Sequence, residues 1–328
     1  MKFYIAPLEG ITGYLYRRAH FDFFPGADRY YIPFIAPRQT GAFTGRELRD
    51  IDPQKNEGIP TVPQILTNNA EAFIHTARLL HSLGYGEVNL NLGCPSATVV
   101  TKGKGAGFLA QPQELDRFLD TIYSALDLPV SIKTRIGVRS SEEAEGLIAI
   151  YRKYPVSELI VHPRIQTDGY RNHPNREVFA EWVGQRTCPI AYNGDIFTRE
   201  DYREFARKFP QVEAVMLGRG MITNPALIRE LRGGALLQKE ELRAFSQRLY
   251  SDYRTYFSGE RSVLFKLKEM WFYQARLFSH YEKYLHQIQK ATTLGECEIA
   301  VQALLREQEL LPLAGYLPVH GDKMQNLS

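Results

Sequence analysis

The stretch TVPQILTNNAEAFIHTARLLHSLGYGEVNLNLG, residues 61–93, decides the fold. It opens on a short run with β-branched residues, TVPQIL (61–66), and closes on another, EVNLNLG (87–93). Between them Ala72, Phe73, Ala77, Leu79, Leu80 and Leu83 recur at threes and fours, the spacing of one helix face, and Gly84 ends the run. Strand, helix and strand in this order form a βαβ unit, and such a unit implies a parallel sheet.

The same texture extends in both directions. KFYIAP (2–7), YYIPFIAP (30–37), PVSIKTRIG (129–137), ELIVHP (158–163), CPIAYNGD (188–195) and VEAVMLGR (212–219) bring the strand candidates to eight. PQELDRFLDTIYSAL (112–126) places Pro112 at a helix's first position, with Glu114 and Asp116 in the first turn. SSEEAEGLIAIYRKY (140–154) opens with a serine and carries a glutamate three residues on, the pattern of a capping box. Eight strand–helix pairs in this length predict a (β/α)8 TIM barrel. A doubly wound sheet is the alternative, but no strand leads into G-x-G-x-x-G. Gly103, Gly105 and Gly107 have the wrong spacing, and no GK[ST] closes a P-loop.

After LRGG (231–234) the strand patterns stop. Four helical runs follow: 239–257, 262–278, 281–292 and 294–310. The expected organisation is a catalytic barrel over 1–234 and a small all-helical domain over 235–328, ending in a flexible tail, HGDKMQNLS (320–328). The segment 261–290 carries six Lys/Arg against two acids, interleaved with Trp271, Phe272, Tyr273, Tyr281 and Tyr284. Aromatics at helical spacing are usually core, and such charges usually a solvated face. The whole chain of 328 residues has a formal charge of only +3, which by itself implies no polyanion partner. Three scattered cysteines with no CxxC pair exclude a zinc finger and a disulfide framework. No apolar run is long enough to cross a membrane. A cytoplasmic monomer with reduced thiols and no metal is expected.

In a barrel of this kind, chemistry gathers at the C-terminal ends of the strands. There the sequence places Pro7 and Leu8, Gln64, Asn91 and then Cys94, Lys133 and Arg135, His162, Asn193-Gly194-Asp195, and Gly218-Arg219. The last two groups suit a phosphate: glycines admit backbone N–H groups and Arg219 adds a fork of donors. Lys133 lies mid-strand among apolar neighbours. It is either half of a structural ion pair or a cation set against an electron-rich ring. Gln64 is either a satisfied core amide or a partner for a ring edge. Cys94 sits in NLNLGCPSATVVTKGKGAG (89–107), between a strand end and a basic, glycine-rich run read as flexible. It suits a general acid or a nucleophile.

Taken in order, APLEGIT, QILTNN, NLNLGCPSATVVTKGKGAGFL, IKTRIG, VHPRIQTDGY, YNGDI and LGRGMITNP resemble the motifs of the flavin-dependent tRNA-dihydrouridine synthases. The resemblance covers about residues 3–232, with the helical tail fitting that family's RNA-binding domain more loosely. It implies FMN over the barrel rim and NADPH as electron donor. Pro7 and Leu8 would flank the ring, Gln64 and Lys133 would hold its polar edge, and His162 would help position it. Asn193, Gly194, Asp195, Gly218 and Arg219 would hold the ribityl phosphate. Asn91 and Arg135 would contact the uracil, Cys94 would give a proton to C5, and the loop 101–107 would close as a lid. Lys266, Lys268 and Lys290 would meet RNA phosphates. Two positions depart from the family pattern: Leu8 stands where methionine is usual, and Pro163 where glycine is common. A dihydroorotate-dehydrogenase-like flavoenzyme, the same reaction on ribosomal RNA, and a non-catalytic RNA-binding barrel are the rival readings.

Overall fold

The computed structural model describes residues 1–37, 43–311 and 314–315. The tail expected over 320–328 lies outside the described residues.

Eight strands appear where the sequence puts them: β1 Lys2–Ile5, β2 Arg29–Ile35, β3 Thr61–Ile65, β4 Val88–Leu92, β5 Val130–Arg135, β6 Leu159–His162, β7 Ile190–Tyr192 and β8 Ala214–Leu217. Each pairs in parallel with the next, and β8 returns to β1 to close the barrel. The helices between and after them are α1 Tyr14–Phe23, α2 Gly45–Asp50, α3 Ala70–Ser82, α4 Ala97–Val100, α5 Pro112–Ala125, α6 Glu143–Tyr151, α7 Arg176–Gln185, α8 Arg199–Lys208, α9 Arg219–Thr223 and α10 Leu227–Leu231. Beyond them run α11 Lys239–Tyr256, α12 Glu260–Gln274, α13 Glu282–Lys290 and α14 Leu294–Glu307.

Local signals explain the boundaries. Pro112 does occupy the first turn of α5. The serine opening of α6 acts differently from expectation. The helix starts at Glu143, whose carboxylate accepts the backbone N–H groups of Val138, Arg139 and Ser140 and so fixes the β5–α6 loop.

By packing, the chain divides into two units. The first holds Met1–Pro7, Asp28–Asp195 and Phe209–Met216, which is most of the barrel. Strand side chains alternate between faces, so residues two apart share one. Tyr4, Ala6, Tyr31, Val62, Ile160, Ala191, Ala214 and Met216 form one buried cluster of strand side chains. At the strands' N-terminal ends, Arg29 bridges Glu87 (3.2 Å) and Glu158 (3.1 Å), and the Tyr4 hydroxyl donates to Glu158 (2.8 Å).

The second unit holds Leu8–Ala27, Ile196–Lys208 and the chain from Leu217 onward. Its core joins α1 to the C-terminal helices: Tyr16 of α1 and Phe24 at its C-terminal cap meet the Phe245 ring of α11 edge-on, at 5.9 and 5.4 Å. Trp271, Tyr273 and Tyr284 lie in that core, each under a tenth exposed. Those three aromatics pack the helices together; they are not exposed platforms for bases.

Candidate active site

The site begins with the register of three strands. Gln64 pairs with Asn89, Asn89 with Ser131 and Asn91 with Lys133. These polar side chains share one face, and all but the half-buried Lys133 are removed from solvent. An amide there must find partners or cost about 1–3 kcal/mol. The partners are each other. Asn91 Nδ2 donates to Gln64 Oε1 (2.7 Å), Gln64 Nε2 to Asn89 Oδ1 (2.7 Å), and Asn89 Nδ2 to Ser131 Oγ (2.9 Å). The ladder ends at the Cys94 loop, where Asn91 Oδ1 accepts the backbone N–H groups of Gly93 (3.0 Å) and Cys94 (2.9 Å).

Cys94 itself is half-buried. The run after it, read from sequence as flexible, is folded. It forms α4 and then a 3-10 turn, Gly105–Ala110, whose first five residues are buried. Ala106 N donates to the Cys94 carbonyl (3.0 Å), and Asn68 Nδ2 donates to the carbonyls of Lys102 and Gly103 (both 3.2 Å). The glycines permit this closeness. Gly105 has φ +55°, and a Cβ there would stand 2.9 Å from the Cys94 oxygen. A Cβ on Gly107 would stand 2.6 Å from the Val100 oxygen.

Arg135, expected on the uracil, is almost wholly buried and committed to backbone. Its Nε donates to Gly93 O (3.0 Å), Nη1 to Ile165 O (2.9 Å) and Gly169 O (3.1 Å), and Nη2 to Gly169 O (3.1 Å). It ties the Cys94 loop to the loop after β6. Lys133 lies between these groups. Burial, and then the Arg135 charge, push its ammonium down to about 7, while Cys94 pulls the other way. The ordinary value is 10.5, so between these two values the unfolded chain holds a proton that the folded chain has released. Stability of the chain therefore rises with pH from about 7 to 10.5 and is lowest below that window. Lys133→Met removes this rise. Denaturant titrations of both proteins across the window measure it, and parallel curves would mean that Lys133 stays charged in the fold.

His162 and Asp195 meet at an arginine that sequence reasoning overlooked. Arg164 donates to Asp195 through both Nη atoms (3.0 and 2.6 Å) and stands 3.0 Å from His162 Nε2. The signal was present: an arginine two residues beyond a strand-ending histidine, facing NGD across the next strand. Asn193 Nδ2 donates to Met216 O (2.8 Å). Gly194 lies against the Tyr192 ring, where a Cβ would overlap the hydroxyl. Pro7 is half-buried at the end of β1.

In the second unit, Leu8 N donates to Thr12 Oγ1 (2.8 Å), and the Arg219 guanidinium lies 5.3 Å from the Phe197 ring centre. Gly218 caps α9. Lys266 is not a free surface cation: it donates to the Gly10 carbonyl and pairs with Glu269 at 2.7 Å. Lys268 is half-buried and Lys290 exposed.

The dihydrouridine synthase family model matches residues 4–311, nearly the whole described chain. This chain belongs to the dihydrouridine synthase family. Among curated relatives it is 27% identical over 241 residues to the tRNA-dihydrouridine(16) synthase of Cupriavidus necator, covering 71% of this chain and 74% of that one. It is 30% identical over 191 residues to the protein of the same name in Aquipseudomonas alcaligenes, covering 58% of each. Among solved structures, morphinone reductase superposes with a TM-score of 0.52 at 12% identity, over 73% of this chain and 87% of that one. That likeness is one of barrel fold. In this dihydrouridine synthase Cys94 sits on a loop held by Asn91 and Arg135.

Proposed function

We propose that the chain reduces the C5–C6 double bond of a uridine in tRNA to dihydrouridine, using FMN and NADPH. The observation that carries this reading is the fixed cysteine: a half-buried thiol whose backbone is pinned at N–H by Asn91 and at C=O by Ala106. The cofactor is an anion with a polar ring, and the first unit's rim offers donors that suit one. These are the Lys133 ammonium and the backbone at Gly194, which has no room for a side chain, in a turn held by the Arg164–Asp195 contact. Gly218 and Arg219 are the proposed further holders of the phosphate. When bound, the flavin would supply hydride chemistry at the rim, with NADPH as the electron source. Reduction at C6 of the uracil leaves enolate charge shared by C5 and O4, and the Cys94 thiol would deliver its proton to C5. Gln64 keeps one N–H and one lone pair outside the ladder, and these suit a ring edge. Asn91 and Arg135 act by holding the Cys94 loop, in place of the uracil contacts first expected. The target base leaves its stack to reach the rim.

The test is anaerobic. Protein reduced with NADPH is mixed with tRNA lacking dihydrouridine, flavin reoxidation is followed, and the digested RNA is analysed by mass spectrometry. RNA-dependent reoxidation with dihydrouridine at one position supports the reading. Reoxidation without it, or by free pyrimidines alone, overturns it. The relatives named for position 16 make that uridine the first to map.

For RNA docking, the committed contacts of Lys266 shift the expectation to Lys268 and Lys290. Lys268→Ala should weaken tRNA binding and reduce the slope of log affinity against log salt by about 0.7–0.9, one phosphate's worth. Lys266→Ala should leave that slope unchanged. A slope change in Lys266→Ala alone would put the phosphate contact at Lys266 after all.

A further inference from the structure

Arg164 sits at a junction that no assigned role explains. Its side chain is 1% exposed. Its Nε donates to Asn172 O in the loop after β6, Nη2 to Asp195 Oδ2, and Nη1 to both Asp195 Oδ1 and His162 Nε2. A guanidinium carries five N–H donors and accepts nothing. At 3.0 Å from Arg164 Nη1, His162 Nε2 must therefore be the acceptor and must lack a proton. A neutral imidazole with a bare Nε2 carries its proton on Nδ1.

We infer that Arg164 is a positioning residue which holds His162 as the neutral, Nδ1-protonated tautomer while neutralising the Asp195 carboxylate. Two consequences follow for the rim. His162 is a fixed hydrogen-bond donor through Nδ1. Its other nitrogen is occupied, so it does not shuttle protons, and the proton for C5 is left to Cys94. Asp195, clamped by both Nη atoms, presents its charge to the arginine and does not repel a phosphate. The contact is bidentate, with the guanidinium buried and the carboxylate partly so, and paired N–H donors of this kind give an arginine–carboxylate contact its strength. The same arginine locks the β6 loop through Asn172, so one side chain sets a strand-end histidine, the β7 turn and the intervening loop together. The tautomer stands on geometry alone; its service to a cofactor phosphate rests on the flavin reading above.

The experiment separates these two. Full-length protein labelled with 15N-histidine is examined by long-range 1H–15N correlation at neutral pH, with and without FMN. The expected wild-type pattern for His162, assigned by loss of its signals in His162→Asn, is Nδ1 protonated and Nε2 bare in both samples. A protonated Nε2, or an imidazolium, overturns the inference whether or not flavin binds. Arg164→Met removes the donor and should turn the single tautomer into a mixture, with FMN binding at least about tenfold weaker. Arg164→Lys, which keeps one donor and the charge, should restore the tautomer in part. Should Arg164→Met fail to fold, the wild-type spectrum and Arg164→Lys still decide. The expected tautomer in a protein that takes up no flavin would uphold the clamp and sink the flavin reading instead.

Discussion

Cys94→Ala should lower dihydrouridine formation by about 10²–10⁴-fold while leaving flavin content unchanged. The size follows from the loss of a positioned proton donor, and the unchanged flavin from where the contacts lie. Arg164 and Asp195, in the turn proposed to face the cofactor, bond to each other and to His162 and Asn172. The loop should also keep its shape, because Asn91 and Ala106 grip the Cys94 backbone and not its sulfur. Cys94→Ser should behave like the alanine variant, since a hydroxyl is a far weaker acid than a thiol. Single-turnover reoxidation with dihydrouridine quantified by mass spectrometry reads both. Wild-type rates in the alanine variant would take the proton away from Cys94.

Arg135→Leu should cost both stability and turnover. It leaves the carbonyls of Gly93, Ile165 and Gly169 without the donor that now serves them. These carbonyls are partly buried, so a total loss of about 1–3 kcal/mol is expected in denaturant titration. Turnover should fall as well, because Gly93 precedes the reacting thiol and loses its tether. Soluble variant with normal stability and reduced uracil affinity would restore the direct substrate contact first expected of Arg135.

The barrel was legible because its signals are local and repeated. Each strand carries its own apolar run, each helix its own period, and the order alone implies parallel pairing. The rim was legible for a related reason: once strands are placed, their ends are placed. What the sequence hid is the use to which each rim residue is put. Gln64 and Asn91 looked like free amides, yet they bond each other across a strand pair, a relation that needs the register to be known. Arg135 and Lys266 looked like cations awaiting an anion and instead serve carbonyls in distant loops. Arg164 passed unnoticed because its partners are remote in sequence, Asn172 eight residues along the same loop and Asp195 31 away, as well as His162. Nor could texture reveal that α1 shares a core with α11, since an amphipathic face names no partner.

The amide ladder also bears on how the chain reaches its fold. Ser131, Asn89, Gln64 and Asn91 come from three strands, and every link has one direction: each amide nitrogen gives to the next oxygen. Slipping any one strand by a residue would turn its polar side chains to the other face and strand their partners in the dark. A misthreaded barrel would thus carry several orphaned amides at once, a penalty a purely aliphatic interior would not impose. The residues that hold the Cys94 loop therefore double as a proofreading device for strand alignment. Mutants that make the ladder apolar, such as Asn89→Leu with Gln64→Leu, are expected to fold into a more heterogeneous population even where they are no less compact.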